Sequence, residues 1–277
     1  AFAQIGHQIY ATGDFVEKDV SLKGGVTVTI PLEKDFSAEQ IEKEISGRFP
    51  NNDISARTLR SVGAAVGIIV EADINGNDNA QVQKLLDAVQ KSIGADLGGI
   101  DYGIEIVGSS LGASFFRESL IALAVAFLFM GLVVFIYFRT FIPSVAVVLA
   151  AFSDMVVALA VVNLLDVKIG TAGIAAFLML IGYSVDTDIL LTVRVLKRRE
   201  GTVMDRIISS FKTGMTMTVI AIISSLVALL VTQSEVVRQI MMILIIGLVA
   251  DIFNTWIQNV GLLRIYAERK AKKGVQI

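Results

Sequence analysis

Thr171-Ala-Gly-Ile-Ala-Ala-Phe-Leu-Met-Leu-Ile-Gly-Tyr-Ser-Val-Asp-Thr-Asp-Ile-Leu-Leu-Thr192 is long and apolar enough to cross a bilayer as one helix, yet Asp186 and Asp188 interrupt its second half. A carboxylate in hydrocarbon costs about 2.5–3.5 kcal/mol or more, so it marks a functional site by default. Each residue of a helix advances the direction by about 100°, so the two aspartates do not point the same way. With Thr187 as centre, Tyr183 and Ser184 lie about 40° and 60° to either side, and Asp186 and Asp188 form the outer edges. The expectation is one continuous polar arc over roughly half the helix, with the other half apolar.

The composition extends this reading to the whole chain. Hydrophobic residues make up 54% and the mean hydropathy is +0.70, well above an ordinary soluble protein. Charges are segregated: the chain reads as soluble up to about Ser114 and as apolar runs with short polar loops after it. Cysteine is absent, which excludes a disulfide framework, thiolate chemistry and cysteine-bound metal. The net charge of −2, with no basic patch interleaved with aromatics, argues against a nucleic-acid partner. The single histidine, His7, lies near the amino terminus, away from the candidate residues.

Before the apolar runs, the pattern is β-α-β-β-α-β. Residues 23–31 open on a glycine pair and alternate as a strand; a phosphate-binding glycine loop is the alternative, and the lack of a following GK[ST] argues against it. Ser37-Ala-Glu-Gln40 is a capping box, and Ile41, Ile45 and Phe49 recur at helical spacing until Pro50. Residues 54–58 and 64–71 read as strands, Asn75-Gly-Asn-Asp as a turn, and Val82, Leu85, Leu86, Val89 and Ile93 as an amphipathic helix; a last strand covers 103–107. The order is that of a split βαβ, ferredoxin-like unit, a fold that decides nothing about function by itself.

Five spans are expected at 119–137, 142–164, 169–192, 208–231 and 239–262. The fold class is therefore a polytopic α-helical membrane protein with an α+β ferredoxin-like extracytoplasmic domain. It divides into an N-terminal segment (1–22), the ferredoxin-like domain (23–114), the membrane domain (115–264) and a basic tail (265–277). Arg139, the Arg194–Arg206 loop with Lys197, Arg198 and Arg199, and the tail from Arg264 with Arg269, Lys270, Lys272 and Lys273 are assigned to the cytoplasm. Lys168 and Arg238 are the basic residues of the outer loops. This places the soluble domain outside and the C-terminus inside a cell membrane, and calls for one more helix before Ala1.

Further ionisable groups lie inside the spans. Asp154 and Asp251 sit near mid-span, and Lys212 in the first turns of the fourth span. Gly247, Asp251, Asn254 and Gln258 form one stripe, and Ser209, Thr213 and Thr216 another beside Lys212. Depth at about 1.5 Å per residue puts Asp188 and Lys212 at one level, where they are expected to pair, so that a moving ammonium toggles the aspartate. The ion or proton pathway set is Asp186, Asp188, Lys212, Asp154 and Asp251, supported by Tyr183, Ser184, Thr187, Thr213, Thr216 and Asn254. The bland alternative makes Lys212 a snorkelling side chain and the aspartates interhelical glue. No catalytic constellation, cofactor or metal site is expected: HExxH is absent, Ser224-Ser225 have no histidine in the spans, Gly-Tyr-Ser-Val-Asp is not an intramembrane aspartyl protease motif, and the methionines read as packing.

The run from Ala172 to Arg194 with Gly182-Tyr183-Ser184, the segment Arg139-Thr-Phe-Ile-Pro143, Ser153-Asp154 and the Gly24-Gly25 strand entry together resemble the SecF family of protein-export membrane proteins, RND-like in type. The likeness covers nearly the whole chain and is specific from Ile181 to Asp188. It implies six spans with a ferredoxin-like domain after the first, a SecD-like subunit and the Sec translocon channel as partners, and an unfolded translocating polypeptide as client within membrane lipid. It further implies proton flow, or sodium flow, coupled to late export. The bacterial pattern puts its functional aspartate at the place of Thr187, flanked here by carboxylates, and an arginine at Lys212; Thr213 and Thr216 match, and Ser153 stands in the histidine position of a His-Asp pair. The Asp-Thr-Asp version resembles an archaeal type. The alternatives are a passive assembly or chaperone subunit of the translocon, and a small-molecule RND-type exporter, which would call for larger paired outer domains.

Overall fold

Val26, Val28 and Ile30 of β1 (Gly25–Ile30) are fully buried, while Thr27 and Thr29 between them turn to the opposite face. That period of two gives the soluble unit one apolar face to cover. The computed structural model describes residues 1–32, 37–61, 64–197, 201–232 and 234–272. Arg198, Arg199 and Lys273 of the expected basic clusters lie outside them.

Strands β2 (Ile54–Ser61), β3 (Ala64–Ala72) and β4 (Gly103–Val107) join β1 in a four-stranded sheet of order β2-β3-β1-β4. All pairings are antiparallel. Helix α1 (Phe2–Thr12) and the short α2 (Val20–Lys23) precede β1, and α3 (Ala38–Ser46) and α4 (Asn79–Ile93) lie between strands. Helices α3 and α4 cover the apolar face through Ile41, Ile45, Leu85 and Val89. Ser37 and Asp78 cap them by accepting hydrogen bonds from backbone amides of the first turn. The topology is ferredoxin-like. Helix α1 has no counterpart in the sequence reading, because its residues show no spanning run and much of its surface, including Phe2 and Tyr10, stays exposed.

The second half is a bundle of α5 (Ser109–Phe138), α6 (Phe141–Leu164), α7 (Thr171–Lys197), α8 (Val203–Val231) and α9 (Glu235–Phe253), which runs through a π-helical turn, Asn254–Asn259, into α10 (Val260–Lys272). Among the described residues, five helical rods are long and apolar enough to cross a membrane. α7, the opening stretch, is the most buried span and packs on α5, α6, α8 and α9, whereas α5 and α8 leave most of their surface uncovered. α5 extends well before its apolar run because its first turns lie on α2, where Gly112 meets the backbone of Leu22 and Gly24. α7 and α9 touch at Gly247, where an added Cβ would overlap the fully buried Leu180. Small residues at such crossings let helices approach closely. At the far end, Arg194 donates to Ser209 O at 2.6 Å and Arg206 to Val195 O at 2.9 Å, fastening α7 to α8.

The two halves are joined through the α6–α7 connection. Asp19 N donates to Ile169 O at 3.0 Å and Ile169 N to Glu17 O at 2.7 Å. Asn163 Nδ2 donates to Phe15 O at 2.9 Å, and the Thr171 amide at the start of α7 donates to Ser21 Oγ at 3.0 Å. Asp53 accepts from Lys23 and Lys168, each at 3.0 Å. Arg57 of β2 pairs with Glu71 of β3 and reaches Glu235 of α9 at 3.3 Å. Burial opposes ionisation of Asp53, but the two ammonium groups outweigh it and hold the carboxyl below its usual 3.8.

Two outcomes follow from this packing. Gly247→Ala should lower thermal stability in detergent by about 1–3 kcal/mol through overpacking against Leu180, although alanine favours a helix. Gly261→Ala, with no atom within 4 Å of the new Cβ, should be neutral or stabilising. Because the folded value of Asp53 is depressed, its contribution is present above the ordinary value of 3.8 and is lost as pH falls through the lower folded value. The protection of the Asp19 and Ile169 amides against hydrogen exchange should therefore fall on acidification below that range, and Asp53→Asn should show the lower protection already at neutral pH.

Candidate functional site: a buried carboxyl cluster in the helix bundle

Asp154 of α6, Asp188 of α7 and Asp251 of α9 each have no exposed surface. They come from three different helices; Asp154 and Asp188 find partners across helix interfaces, and Asp251 meets Thr255 one turn along its own rod. Ser184 Oγ donates to Asp154 Oδ2 at 2.5 Å, and Asn254 Nδ2 donates to Asp154 Oδ1 at 2.7 Å. Asn259 Nδ2 donates to Asp188 Oδ1 at 2.6 Å. The Thr255 hydroxyl lies 2.9 Å from Asp188 Oδ1 and also 2.9 Å from Asp251 Oδ1. Asp188 Oδ2, Asp251 Oδ2 and Asn259 Oδ1 have no hydrogen-bond partner among the described residues.

Asp251, Thr255 and Asn259 follow one another at intervals of four, a drift of about 40° per step that keeps all three within one face of a helix. The last two lie in the π turn Asn254–Asn259, and all three are fully buried. Below them Trp256 packs edge-on against Phe211 at 5.0 Å, and an added Cβ at Gly214 would strike the Trp256 ring.

A hydroxyl carries one proton to donate. Thr255 can donate to Asp188 or to Asp251, and the second 2.9 Å contact is a hydrogen bond only when a carboxyl supplies the proton. The arrangement is therefore matched to an odd proton held between two carboxyls, with a hydroxyl that can reverse its direction.

The expected arc around Thr187 is divided between two faces. Ser184, Thr187 and Asp188 are buried, whereas Tyr183 and Asp186 lie on the outward face of α7. The regular drift of the helix places Asp186 and Asp188 about 200° apart, and the bundle covers only the Asp188 side. The expected pairing of Asp188 with Lys212 is corrected: Asp188 is held by Thr255 and Asn259, and Lys212 is exposed on α8. Thr216, also exposed, donates to Lys212 O at 2.8 Å, and Thr213 to Ser209 O at 3.3 Å. Thr187 donates weakly to Tyr183 O at 3.5 Å. Asn254 joins the cluster, but Gln258 meets only Ser153, at 3.5 Å. Thr255 and Asn259 escaped the sequence reading, since α-helical spacing selected Asn254 and Gln258 from the same segment. The signal that points to them is their spacing of four and eight from Asp251, which puts all three on one helix face.

These features define a polytopic helical membrane protein with a ferredoxin-like domain packed on a bundle that holds three buried carboxyls. The family model for the C-terminal part of the protein export membrane protein SecD/SecF matches residues 88–269. The protein-export membrane protein SecF of Methanothermobacter thermautotrophicus is 38% identical over 258 residues, covering 91% of this chain and 85% of that protein. Those of Methanocaldococcus jannaschii and Pyrococcus furiosus are 34% and 36% identical, covering 90% and 85% of those proteins and 93% and 95% of this chain. The chain belongs to the SecF branch of the SecD/SecF family of protein-export membrane proteins. The crystal structure of SecDF, a translocon-associated membrane protein from Thermus thermophilus, shares the fold with a TM-score of 0.69 at 17% identity. The match covers 96% of this chain, which spans 36% of that one. A heavy metal efflux pump shares the fold at a TM-score of 0.53 and 11% identity, over 88% of this chain and 36% of that one.

Thr255→Val should remove the shared donor and leave two buried carboxyls facing each other. It is expected to destabilise the bundle in detergent by about 1–3 kcal/mol, with Thr255→Ser close to wild type, as read by thermal unfolding.

Proposed function

We propose that the chain acts as the SecF subunit of a SecD/SecF-type complex that assists polypeptide export, and that the Asp154, Asp188 and Asp251 cluster takes up and releases a proton as part of that work. The observation that carries the second half is the Thr255 hydroxyl shared between two carboxyls, which fits a movable proton better than fixed interhelical glue. Asp154 differs from the other two. Both of its oxygens are engaged by Ser184 and Asn254, which suits a residue that holds α6, α7 and the π turn together.

The exposed polar residues support a membrane partner. Asp186 and Tyr183 on α7 and Lys212 and Thr216 on α8 lie on uncovered faces of spans, and neither Asp186 nor Lys212 makes a side-chain bond to a described residue. Charges facing lipid are costly, so a partner subunit that covers them, SecD-like in this family, satisfies them at its interface. With Arg139, Arg194, Arg206 and Arg264 on the cytoplasmic side and Lys168 and Arg238 outside, the ferredoxin-like domain is extracytoplasmic. That sidedness places the junction at Ile169 on the outer surface.

The test is proton flux and export in proteoliposomes containing the chain with its SecD-like partner. Asp188→Asn and Asp251→Asn should each lower gradient-driven flux about 10²-fold while leaving association with the partner intact. Unchanged flux in both variants would remove the proton role, and loss of association in both would favour a passive assembly subunit.

A further inference from the structure

The face of the sheet turned toward the bundle is polar and does not close on it. Register puts Ser55 of β2, Glu71 of β3, Thr27 of β1 and Glu105 of β4 in one row across that face, with Glu71 and Glu105 on either side of Thr27. Under the row lies a cavity of about 230 Å³, floored by Gly170, Thr171 and Gln239 and lined also by Asp19 and Glu235. Arg57 is the one basic residue in that lining. It is already bonded to Glu71 and reaches Glu235, so the remaining charge around the cavity is negative.

Glu71 supplies the second observation. It is only 7% exposed, and while its Oε1 accepts from Arg57, its Oε2 has no partner among the described residues. Burial pushes this carboxyl above its usual value, Arg57 pulls it back, and Asp19 adds to the rise. An orphaned buried carboxylate oxygen costs about 1–3 kcal/mol unless a donor reaches it. The strands on either side of β1 are about 9.6 Å apart, from two spacings of about 4.8 Å. A metal ion at about 2.4 Å from each oxygen bridges only about 5 Å. No group of three or more metal-ligating side chains converges among the described residues. A guanidinium or ammonium head on a flexible stem, with charge-assisted bonds of about 2.8 Å on each side, spans the row better.

We propose that this cavity is a receptor for one cationic side chain, arginine or lysine, carried on an extended polypeptide, with Glu71 and Glu105 as the paired acceptors and Thr27 between them. The volume holds one such head group with a few waters, at about 30 Å³ per water. Glu105 is exposed on the edge strand, so one of the two acceptors is open to solvent. The choice of polypeptide as the source rests on the export reading; the binding measurement needs neither partner subunit nor gradient, so the two fail separately.

The experiment is calorimetric titration of the full chain in detergent with Nα-acetyl-arginine-amide, its neutral isostere Nα-acetyl-citrulline-amide, spermidine and calcium chloride. Saturable binding of the arginine amide and not of the citrulline amide is expected. Glu71→Gln and Glu105→Gln should each weaken it about tenfold, and Glu105→Gln, at an exposed position with no partner to lose, keeps the test valid should Glu71→Gln unfold the domain. Equal binding of the two amides, no binding of either, undiminished binding in Glu105→Gln, or uptake of calcium or spermidine in place of the arginine amide would overturn the proposal.

Discussion

A polar group in hydrocarbon has no water to turn to, so a carboxyl buried inside the bundle must be answered by another side chain of the protein. Asp154, Asp188 and Asp251 are answered by Ser184, Asn254, Asn259 and Thr255, drawn from α7 and from the turn that follows α9. These contacts decide how the central helices face one another. They also give the π turn between α9 and α10 its place in the bundle: Asn254, Thr255 and Asn259 within it donate to Asp154, Asp188 and Asp251.

The same helix that carries Asp188 begins at the junction with the sheet domain. The Thr171 amide is bound by Ser21, and Ile169 exchanges backbone hydrogen bonds with Glu17 and Asp19. From Thr171 to Asp188 is about 26 Å of continuous helix at about 1.5 Å per residue. A rearrangement among the buried carboxyls that shifts or rotates α7 is therefore delivered to the base of the sheet domain. The ion pairs there, Asp53 with Lys23 and Lys168, and Arg57 with Glu71 and Glu235, are few enough to be exchanged. This gives the proposed coupling of proton movement to domain movement a material path.

Much of this was legible in the sequence. The period of two in Val26, Val28 and Ile30 and the 3.6-residue period around Leu85 and Val89 define the ferredoxin-like unit, because local pattern and burial agree there. The five apolar runs define the bundle for the same reason, and the aspartates within them stand out by their cost. What escaped was set by long-range geometry. Which side of α7 is covered depends on where α6 and α9 lie, so Asp186 and Asp188 looked alike until the bundle separated them. Thr255 and Asn259 escaped because polar uncharged residues carry no penalty large enough to notice. The expected Asp188–Lys212 pair matched in depth along the membrane normal, but depth says nothing of the direction in which each side chain leaves its helix.

The central claim is that an odd proton resides among Asp188, Asp251 and the Thr255 hydroxyl. Infrared difference spectroscopy of the chain in lipid at neutral pH, with isotope-labelled aspartate, reads it directly. The account predicts a carbonyl band of a protonated carboxyl, shifted by the label, that disappears or moves in Asp251→Asn and in Asp188→Asn and changes frequency in Thr255→Val. A spectrum in which all labelled aspartates are ionised, or in which the protonated band is indifferent to all three substitutions, would contradict it.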